Sequence, residues 1–569
     1  MIKKDEKIIF LIGTIIGAVL FILIFGFQVL DFTYTAWLLP QSLSDLSQHY
    51  IGWLFYRDSS WHFPLGLIDN ILYPDYASVV YTDSIPLFAF IFKLFSGILP
   101  EQFQYFGLFG ILCYMLQGGF SACLIYHFTN KKVYSLVTSV FFSGSLLMLF
   151  RMFYHTSLSA HWLIIAAIYI WLCKEGELST VKSVIIWSVL SIIAVLTHAY
   201  FLPMIWGCML CDILEQFLAY KYKKGFLMMG SSGLCAVLFG WIFGMFYGSS
   251  SKTGVFYGVF SFNLNGFFNS QGYSYFFDPL PTASEWQFEG LAYLGLGIMI
   301  LIAICLILLG IKSIKHIAEK NKDNAKSASK KNFKKKIPYI VFFSVFTLLA
   351  VSNVVTFGKY MLYIPLSDGI AKILGVFRCS GRLIWPIYYM ILLYTCIGIH
   401  KLISKKWIPE ILAFAALIIQ LIDISPQISY LHTEFASSER IEYESLLVDP
   451  AWQECAEKYD HIMFYPDVLY IISSKKVAGY ELQMYAHENH MTLNMFCLAR
   501  VSTEAINQNV YLHFDRLKQG YKDPDTMYIF LEDLPSESCG LHYYYMDTMI
   551  VGTPDPLESA KEIDMVYSE

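Results

Sequence analysis

Two aspartates stand out among the residues of this chain that could take part in a reaction. Asp45 opens the stretch Asp-Leu-Ser-Gln-His-Tyr-Ile-Gly-Trp, which also carries Gln48 and His49, and Asp83 lies within Thr-Asp-Ser-Ile-Pro-Leu. A carboxylate at either position could act as a general base. Each could equally begin a helix, because Asp45 and Gln48 have the spacing of a capping box and Pro86 is typical of a first helical turn. Both interpretations stay open at this point.

Arginines and histidines form a second group of candidates. Arg378 and Arg382 flank the tripeptide Cys-Ser-Gly, and Arg151 follows a predicted membrane helix. A guanidinium group can bind a phosphate through two parallel hydrogen bonds, whereas snorkelling toward the headgroups or pairing with acidic residues is the simpler role. A lone imidazole near a helix end is more often a satisfied polar group than a ligand. Three histidines stand at such positions: His155, His161 and His198.

The composition indicates what kind of protein must position these residues. Charged residues make up 15% of the 569 residues and apolar residues 56%, with 46 Phe, 40 Tyr and 12 Trp. Ordinary globular chains carry about 25% charged residues, so both disorder and an ordinary soluble surface are excluded. The net charge of −5 joins two unlike regions, because 24 acidic and only 9 basic residues lie from Ile424 onward. We predict a basic membrane body with an acidic tail.

Eleven segments meet or approach the roughly 20 apolar residues that a helix needs to cross a bilayer. These predicted spans are 8–30, 103–126, 133–150, 157–173, 183–197, 200–219, 226–247, 289–311, 337–355, 383–399 and 407–423. A further apolar run, Ile85–Leu99, is short, contains Lys93 and stops at Pro100. We predict that this run is a helix at the outer membrane interface.

The distribution of lysine and arginine favours this topology. With eleven spans and the N-terminus in the cytoplasm, 23 basic residues of the body fall on the inner side and 8 on the outer side. Cytoplasmic loops are generally enriched in these residues, and counting Ile85–Leu99 as a twelfth span would place most lysines outside. We therefore predict a multi-pass protein of the plasma membrane whose acidic tail lies outside the cytoplasm.

The predicted fold class is an α-helical polytopic membrane protein with a small α/β domain. Residues 1–425 form the membrane body, whose first outer loop at 31–102 carries interfacial helices, and residues 426–569 form the extracytoplasmic α/β domain. Its predicted strands are His461–Tyr465, Val468–Ile472, Met527–Leu531 and Met549–Val551, and its predicted helices are Ser438–Leu447 and Pro450–Tyr459. No H-E-x-x-H or Walker motif occurs, so neither zinc chemistry nor ATP hydrolysis is indicated. We expect no metal site, no cofactor and no nucleic-acid partner.

Together these features resemble the GT-C superfamily of integral-membrane glycosyltransferases, in which a long first outer loop carries interfacial helices and an early acidic residue. The chain is closer still to an uncharacterised bacterial branch of that superfamily, over about residues 1–425. Four motif stretches carry the likeness: Asp-x-x-Gln-His-Tyr-x-Gly-Trp at Asp45–Trp53, Thr-Asp-Ser-x-Pro-Leu at Thr82–Leu87, Glu-Gly-x-x-Tyr-Leu-Gly at Glu289–Gly295 and Arg-x-Ser-Gly-Arg at Arg378–Arg382. Leu46 follows Asp45, so the usual Asp-Asp or Asp-Glu pair of the superfamily is absent.

The resemblance implies an inverting transfer of a sugar from a polyprenyl-phosphate-linked donor in the lipid bilayer to a glycan or polymer of the cell envelope. It implies that Asp45 deprotonates the acceptor hydroxyl and that Asp83 assists as a second catalytic carboxylate. The donor phosphate would be bound by Arg378, Arg382 and Arg151. The residues expected to orient the substrates are Gln48, His49, His155, His161, His198 and Glu289.

Three other functions compete with this interpretation. A transporter or lipid flippase would favour ionisable residues near the middle of the membrane and broken helices in paired halves, and neither is evident in the sequence. A ligase of envelope glycans would carry its base in a large late loop, whereas the long loop here is the first one. A non-catalytic assembly or receptor protein would use mainly the tail.

Overall fold

A computed structural model describes residues 4–39, 45–173, 178–248, 257–319, 326–405, 407–436, 439–440, 442–465, 476–500, 503–530 and 539–564. By their contacts the residues form two compact units. Unit 1 comprises Met1–Asp31, Tyr105–Val237 and Lys252–Ser438, and unit 2 comprises Phe32–Gln104, Leu238–Ser251 and Glu439–Glu569. The predicted boundary near residue 425 was drawn along the chain. The contacts show in addition that the first outer loop and the tail belong to the same unit, which the order of the chain does not indicate.

Helices account for most of the regular structure. In chain order they are α1 (Lys4–Phe25), α2 (Asp45–Asp58), α3 (Pro86–Lys93), α4 (Phe106–Thr129), α5 (Lys132–Ser143), α6 (Leu146–Arg151), α7 (Trp162–Leu172), α8 (Thr180–Thr197), α9 (Phe201–Leu218), α10 (Tyr222–Ile242), α11 (Leu296–Glu319), α12 (Lys326–Val351), α13 (Asp368–Leu374), α14 (Trp385–Leu402), α15 (Ile408–Asp423), α16 (Ser425–Phe435), α17 (Ala451–Lys458), α18 (Lys476–Glu488) and α19 (Thr503–Lys518). The strands are β1 (Leu67–Ile68), β2 (Ala77–Ser78), β3 (Val354–Phe357), β4 (Tyr360–Tyr363), β5 (His461–Tyr465), β6 (Thr492–Leu493), β7 (Thr526–Phe530), β8 (His542–Met546) and β9 (Met549–Thr553).

Seven helices of the described chain are long and apolar enough to cross a membrane. They are Lys4–Phe25, Phe106–Thr129, Thr180–Thr197, Phe201–Leu218, Tyr222–Ile242, Leu296–Ile314 and Ser380–Leu402, and each overlaps a predicted span. The number rises to eight if α15 and α16, which meet at a bend of 61°, form one broken span. The chain therefore has the helices of a membrane protein, whereas the predicted number of eleven spans is not confirmed.

Other predicted spans are interrupted or shortened in the structure, and the mean hydropathy of a segment does not indicate such interruptions. Residues 133–150 divide into α5 and α6 at Gly144, and only 11 residues of the segment 157–173 are in α7. Residues 337–355 contain the apolar end of α12, a helix that begins in the lysine run and includes Pro338. A short turn or a run of flanking charges hardly changes the apolar content of a segment, so these interruptions could not be read from composition.

The apolar run Ile85–Leu99 contains the short helix α3, which ends at Lys93. Eight residues of helix rise only about 12 Å, less than the hydrocarbon thickness of a bilayer. The Lys93 ammonium is buried, donates a hydrogen bond to Ser59 Oγ (2.9 Å) and lies 4.3 Å from the ring centre of Tyr56 and 4.7 Å from that of Trp61. Burial lowers the pKa of Lys93 to about 8. Partners within the protein therefore interact with the one charged side chain of this run. The location of the run at the membrane interface stays a prediction.

The tail folds into a small sheet domain. The sheet has the order β6-β5-β7-β9-β8, in which β5 is parallel to β6 and β7, and β9 is antiparallel to β7 and β8. The predicted strands His461–Tyr465, Met527–Leu531 and Met549–Val551 are confirmed as β5, β7 and β9 over their described residues. Leu531 and the predicted strand Val468–Ile472 lie outside the described residues. The tail is thus a small domain of mixed helix and strand.

One predicted helix of the tail, Ser438–Leu447, is wrong. Residues 442–447 are irregular, and their polar groups bind a carboxylate of α18. Glu481 Oε2 accepts hydrogen bonds from Tyr443 (2.8 Å), Ser445 (3.1 Å) and the backbone N–H of Leu446 (3.2 Å). A carboxylate that accepts hydrogen bonds from this N–H and these hydroxyls holds the segment against α18 in an irregular conformation, although its local sequence has helical character.

Close packing of α1 on α4 depends on glycines. A Cβ atom on Gly17 would lie 2.1 Å from the carbonyl oxygen of Tyr114, and one on Gly13 would lie 2.6 Å from that of Gly118. Gly118 makes the reciprocal close approach to Gly13. Small residues four apart let the backbones of two membrane helices touch, which favours their association by van der Waals contact.

We predict that Gly17→Ala destabilises the folded protein by about 1–3 kcal/mol, because the added methyl group forces α1 away from the α4 backbone. Thermal unfolding of the detergent-solubilised chain measures the change. Gly230→Ala in α10 is the matched control, since nothing lies within 4 Å of a Cβ atom at that position. Equal transition temperatures for the two variants would contradict the prediction.

Candidate functional site

In unit 2 the structure brings the Asp45 and Asp83 stretches together. Gly52 of α2 packs against the second stretch so closely that a Cβ atom would lie 2.5 Å from Thr82 Cβ and 2.9 Å from Ser84 Oγ. The Ser84 hydroxyl donates a hydrogen bond of 2.6 Å to the carbonyl oxygen of His49 and also contacts the Thr82 hydroxyl at 2.7 Å. The glycine, threonine and serine of the two stretches therefore form a single packed contact.

Asp45 is the first residue of α2 and is half-buried. A carboxylate at a helix N-terminus interacts favourably with the helix dipole. Its charge reaches α18, where burial, together with the nearby Cys497 and Asp45, raises the pKa of Tyr480. Gln48, one turn further along α2, is buried and its side-chain oxygen accepts a hydrogen bond from the Cys497 thiol (3.0 Å).

Asp83 lies in a left-handed turn, two residues before the N-cap position of α3. The residue before α3 is Ile85, with φ 54°, and Asp83 itself has φ 57°. The predicted alternative of an N-cap is therefore wrong for Asp83. Aspartate adopts this conformation readily, whereas a buried β-branched residue such as Ile85 does so rarely and at a cost of about 1–3 kcal/mol. The strained turn presents a half-buried carboxylate directly beside the contact with α2.

A segment of the tail runs alongside both stretches within unit 2. The backbone N–H of Leu493 donates to the Asn70 carbonyl (3.0 Å), and the Leu493 carbonyl accepts from the N–H of Tyr73 (2.7 Å). Further along, the N–H of Ala499 donates to the carbonyl of Tyr81 (2.7 Å), two residues before Asp83. Sequence reasoning missed this neighbour because backbone pairing over more than 400 residues leaves no mark on spacing or composition.

In unit 1 the Glu289 and Arg378 stretches meet in an ion cluster, here called the Glu289 cluster. Arg382 binds the Glu289 carboxylate with two hydrogen bonds, from Nε to Oε2 (2.8 Å) and from Nη2 to Oε1 (2.6 Å). Arg151 Nη2 donates to Glu289 Oε2 (2.8 Å) and to the Glu289 carbonyl oxygen (3.1 Å). All three side chains are buried, and no described residue forms a hydrogen bond with Arg151 Nε.

Electrostatics keeps the Glu289 carboxylate charged. Burial alone would raise the pKa of Glu289, but the charges of Arg151 and Arg382, with the hydrogen bonds from Arg382, hold it well below its usual range. Two guanidinium groups sharing one carboxylate leave a net positive charge in a buried position. Aromatic rings interact favourably with this positive charge. The Arg151 guanidinium lies 5.3 Å from the ring centre of Trp385, and that of Arg382 lies 4.8 Å from the ring centre of Tyr200.

The glycines of these two stretches explain why their backbones can approach. A Cβ atom on Gly381 would lie 2.8 Å from the Cα atom of Gly290, and the N–H of Gly381 donates to the carbonyl of Phe260 (2.9 Å). Gly295 has φ 83° and packs against the side chain of Gln420, where a Cβ atom would lie 1.7 Å from Nε2. Each stretch thus combines ionic residues with glycines that let neighbouring segments contact them.

The other predicted residues of unit 1 differ in exposure. Arg378 is exposed, with its guanidinium 6.0 Å from the ring centre of Phe260. His155 is half-buried and its Nδ1 lies 3.4 Å from Arg151 Nη1, while the half-buried His198 accepts a hydrogen bond from the N–H of Tyr200 (3.2 Å). These positions keep part of each side chain accessible.

Two predicted histidines are buried. His161 contacts the Tyr389 hydroxyl at 2.8 Å and stacks on Trp385 at 4.5 Å between ring centres. His49 is buried in α2 and holds Ser84 through its carbonyl oxygen. This geometry favours a packing role for both. Among the described residues, no group of three or more His, Cys, Asp or Glu side chains could hold a metal ion.

Comparison with known proteins gives matches to two related family models. A model described as a domain of unknown function, DUF6311, matches residues 14–425. A second model, described as the DUF6311 C-terminal domain, matches residues 451–554. No curated protein matches the chain. The first match covers more than half of the chain and includes all four motif stretches.

We predict that Glu289→Leu destabilises the protein by about 3–5 kcal/mol, because it leaves two guanidinium groups buried without a counter-charge. Glu285→Leu, which removes an exposed carboxylate from the same short 3₁₀ segment, is the control and is expected to have little effect. Thermal unfolding in detergent measures both changes. A small effect of Glu289→Leu would show that the cluster contributes little to the fold.

Acidification provides a second measurement on the same pair. The pKa of Glu289 is lowered in the folded chain, so its contribution to stability is present above the ordinary glutamate value of 4.5 and is lost as the pH falls through the folded-state pKa. Below pH 4.5 the wild-type protein is therefore expected to lose more stability than Glu289→Leu. Parallel losses would argue against a lowered pKa.

Proposed function

This chain belongs to the DUF6311 family, and we propose that it is a membrane glycosyltransferase. It moves a sugar from a polyprenyl-phosphate-linked donor in the bilayer to an extracytoplasmic acceptor, a glycan or polymer of the cell envelope. The configuration at the anomeric carbon is inverted. The proposal draws on the resemblance of the four motif stretches to GT-C enzymes and on the way these stretches pack in pairs.

The observation that carries the proposal is the surplus of positive charge in the Glu289 cluster. Two buried guanidinium groups share one carboxylate, and the exposed Arg378 lies four residues before Arg382. Buried charge is costly unless it is compensated, so an anion is expected to bind next to such a cluster. The phosphate of a lipid-linked sugar is an anion that a protein of the membrane can meet at the bilayer surface.

Asp45 is the general base in this proposal. Its carboxylate accepts the proton of an acceptor hydroxyl while the hydroxyl oxygen bonds to the anomeric carbon of the donor sugar. The bond from this carbon to the phosphate oxygen breaks, and polyprenyl phosphate leaves with the bonding electrons. Attack from the side opposite the leaving group inverts the carbon. Asp83, in its left-handed turn beside α2, is the second carboxylate and orients the acceptor.

Arg378 binds the donor phosphate directly, because it is the exposed arginine of its stretch. Arg382 and Arg151 act as positioning residues: both bind Glu289, and Arg382 ends the stretch that begins at Arg378. The bidentate fork of an arginine suits a phosphate, and charge already in place needs little reorganisation when the phosphate departs. His155 and His198 remain candidates for orienting the substrate, since both are only half-buried.

We predict that Asp45→Asn abolishes transfer of the sugar, because an amide cannot accept the proton of the acceptor hydroxyl. The measurement is glycan analysis of the cell envelope from a deletion strain that carries each variant. Asp75→Asn, an exposed aspartate of the same loop, is the control and should restore the missing substituent as well as wild type does. Near-full activity of Asp45→Asn at normal expression would overturn the assignment. Loss of the whole polymer in the deletion strain, without loss of one sugar substituent, would favour a flippase or a ligase.

We predict that Arg378→Ala lowers the transfer rate roughly tenfold to a hundredfold, which corresponds to the loss of one charge-assisted phosphate contact. Thermal stability should stay close to wild type because Arg378 is exposed, and Arg378→Lys should restore part of the rate. The rate is measured in membranes of the complemented deletion strain, with Lys372→Ala of α13 as the exposed basic control. An equal effect of both alanine variants would point to general surface charge and would contradict a specific phosphate contact.

A further inference from the structure

The β3–β4 hairpin of unit 1 exposes an unusual amount of apolar surface. Along β4, Tyr360, Met361, Leu362 and Tyr363 are 70%, 65%, 63% and 64% exposed, and Phe357 at the end of β3 is 62% exposed. The strands pair in register, with Phe357 opposite Tyr360 and Val354 opposite Tyr363. A two-stranded hairpin has marginal stability in water, and one built from such residues would be poorly soluble.

The exposure extends to both faces of β4. Successive residues of a strand point to opposite faces, so Tyr360 and Leu362 lie on one face and Met361 and Tyr363 on the other. All four are large and apolar or aromatic, and each is at least 63% exposed. A protein partner that covered only one face of β4 would leave the apolar residues of the other face exposed to water.

The hairpin is nevertheless held firmly at one edge. Asn263 forms two hydrogen bonds with the turn residue Gly358, donating to its carbonyl oxygen (2.8 Å) and accepting from its N–H (2.9 Å). The buried Thr356 hydroxyl accepts a hydrogen bond from Gln287 Nε2 (2.8 Å), and its carbonyl accepts one from the N–H of Leu264 (2.9 Å). The apolar strand β4 is thus presented by a built-in polar anchor and is not a loosely attached segment.

The position of the hairpin in the chain indicates what surrounds it. It begins three residues after α12 and is followed, through α13, by a helix at Ser380–Leu402 that is long and apolar enough to cross a membrane. In α13, Ile370 and Ile373 are 49% and 74% exposed and share one helical face. The exposed apolar surface therefore continues along the chain toward a candidate membrane helix.

We propose that the β3–β4 hairpin and α13 insert into the interfacial layer of the bilayer, between the lipid headgroups and the acyl chains. Lipid surrounds an inserted hairpin on both faces, which accounts for apolar residues on each. Tyrosine is enriched at this level because its ring is apolar and its hydroxyl reaches water or headgroups, and Lys359 at the turn can meet lipid phosphates. The inference concerns phospholipid contact and does not depend on the proposed glycosyl transfer.

Photo-crosslinking from both faces tests the insertion. The photoreactive residue p-benzoylphenylalanine replaces Tyr360 in one full-length variant and Tyr363 in another, an exchange of aromatic for aromatic at exposed positions. Each protein is reconstituted in vesicles of phosphatidylethanolamine and phosphatidylglycerol, irradiated and analysed by mass spectrometry. The same replacement at Tyr545, which is 61% exposed on β8 of the tail, serves as the control.

Insertion predicts adducts of the mass of one phospholipid at both Tyr360 and Tyr363, several-fold more than at Tyr545. Lipid adducts from only one face would overturn the proposal and indicate that protein covers the other face. Crosslinks to a second chain would identify a contact between copies, and crosslinks within the chain would identify an internal cover, and either would overturn it as well. Thermal unfolding of each variant, compared with wild type, confirms that the irradiated protein is folded.

Discussion

The shared carboxylate of Glu289 is the interaction on which the organisation of unit 1 depends. It joins three segments that are distant in sequence, namely the end of α6 through Arg151, the 3₁₀ segment Glu285–Gly290 and the turn that carries Arg382. Charges buried beside membrane helices must find partners within the protein, because neither lipid nor water is there to solvate them. Arg382, which is bound to Glu289, lies four residues after Arg378 in the same stretch.

Unit 2 is organised by close contact of small groups. Gly52 lets α2 approach Thr82 and Ser84, and the hydroxyl of Ser84 closes the contact on the His49 carbonyl. The strained turn at Asp83 and Ile85 is tolerable because this contact on one side and the tail segment on the other determine its conformation. In both units, therefore, close contacts at glycines and hydrogen bonds position the candidate site residues. Each motif stretch contains both kinds of residue because the ionic residues supply the candidate chemistry and the small residues allow the close packing.

The sequence allowed the membrane helices and part of the tail to be predicted, since both have local signals. Uninterrupted apolar runs became helices of membrane length, and the short apolar strand His461–Tyr465 was located to the residue. The break at Gly144 was missed because one turn does not change mean hydropathy. The helix expected at Ser438–Leu447 was wrong because Glu481, from a distant helix, binds the polar groups of that segment. Local helix propensity does not determine the structure of a segment where a residue distant in sequence forms stronger hydrogen bonds with it.

The sequence predicted even less about which residues of the candidate site contact one another. Residue types and spacing singled out Arg151, Glu289 and Arg382 separately, yet nothing in the sequence paired residues that are 93 and 138 positions apart. Their pairing changes how the outer arginines are understood. Basic residues on the predicted outer side run against the usual enrichment of cytoplasmic loops, but two of them are neutralised in part by Glu289 and lie out of contact with water. They are constituents of a folded cluster, so they carry little weight as topology signals. The positive charge that the cluster leaves uncompensated, together with the exposed Arg378, is then the feature of unit 1 that a structural role alone does not explain.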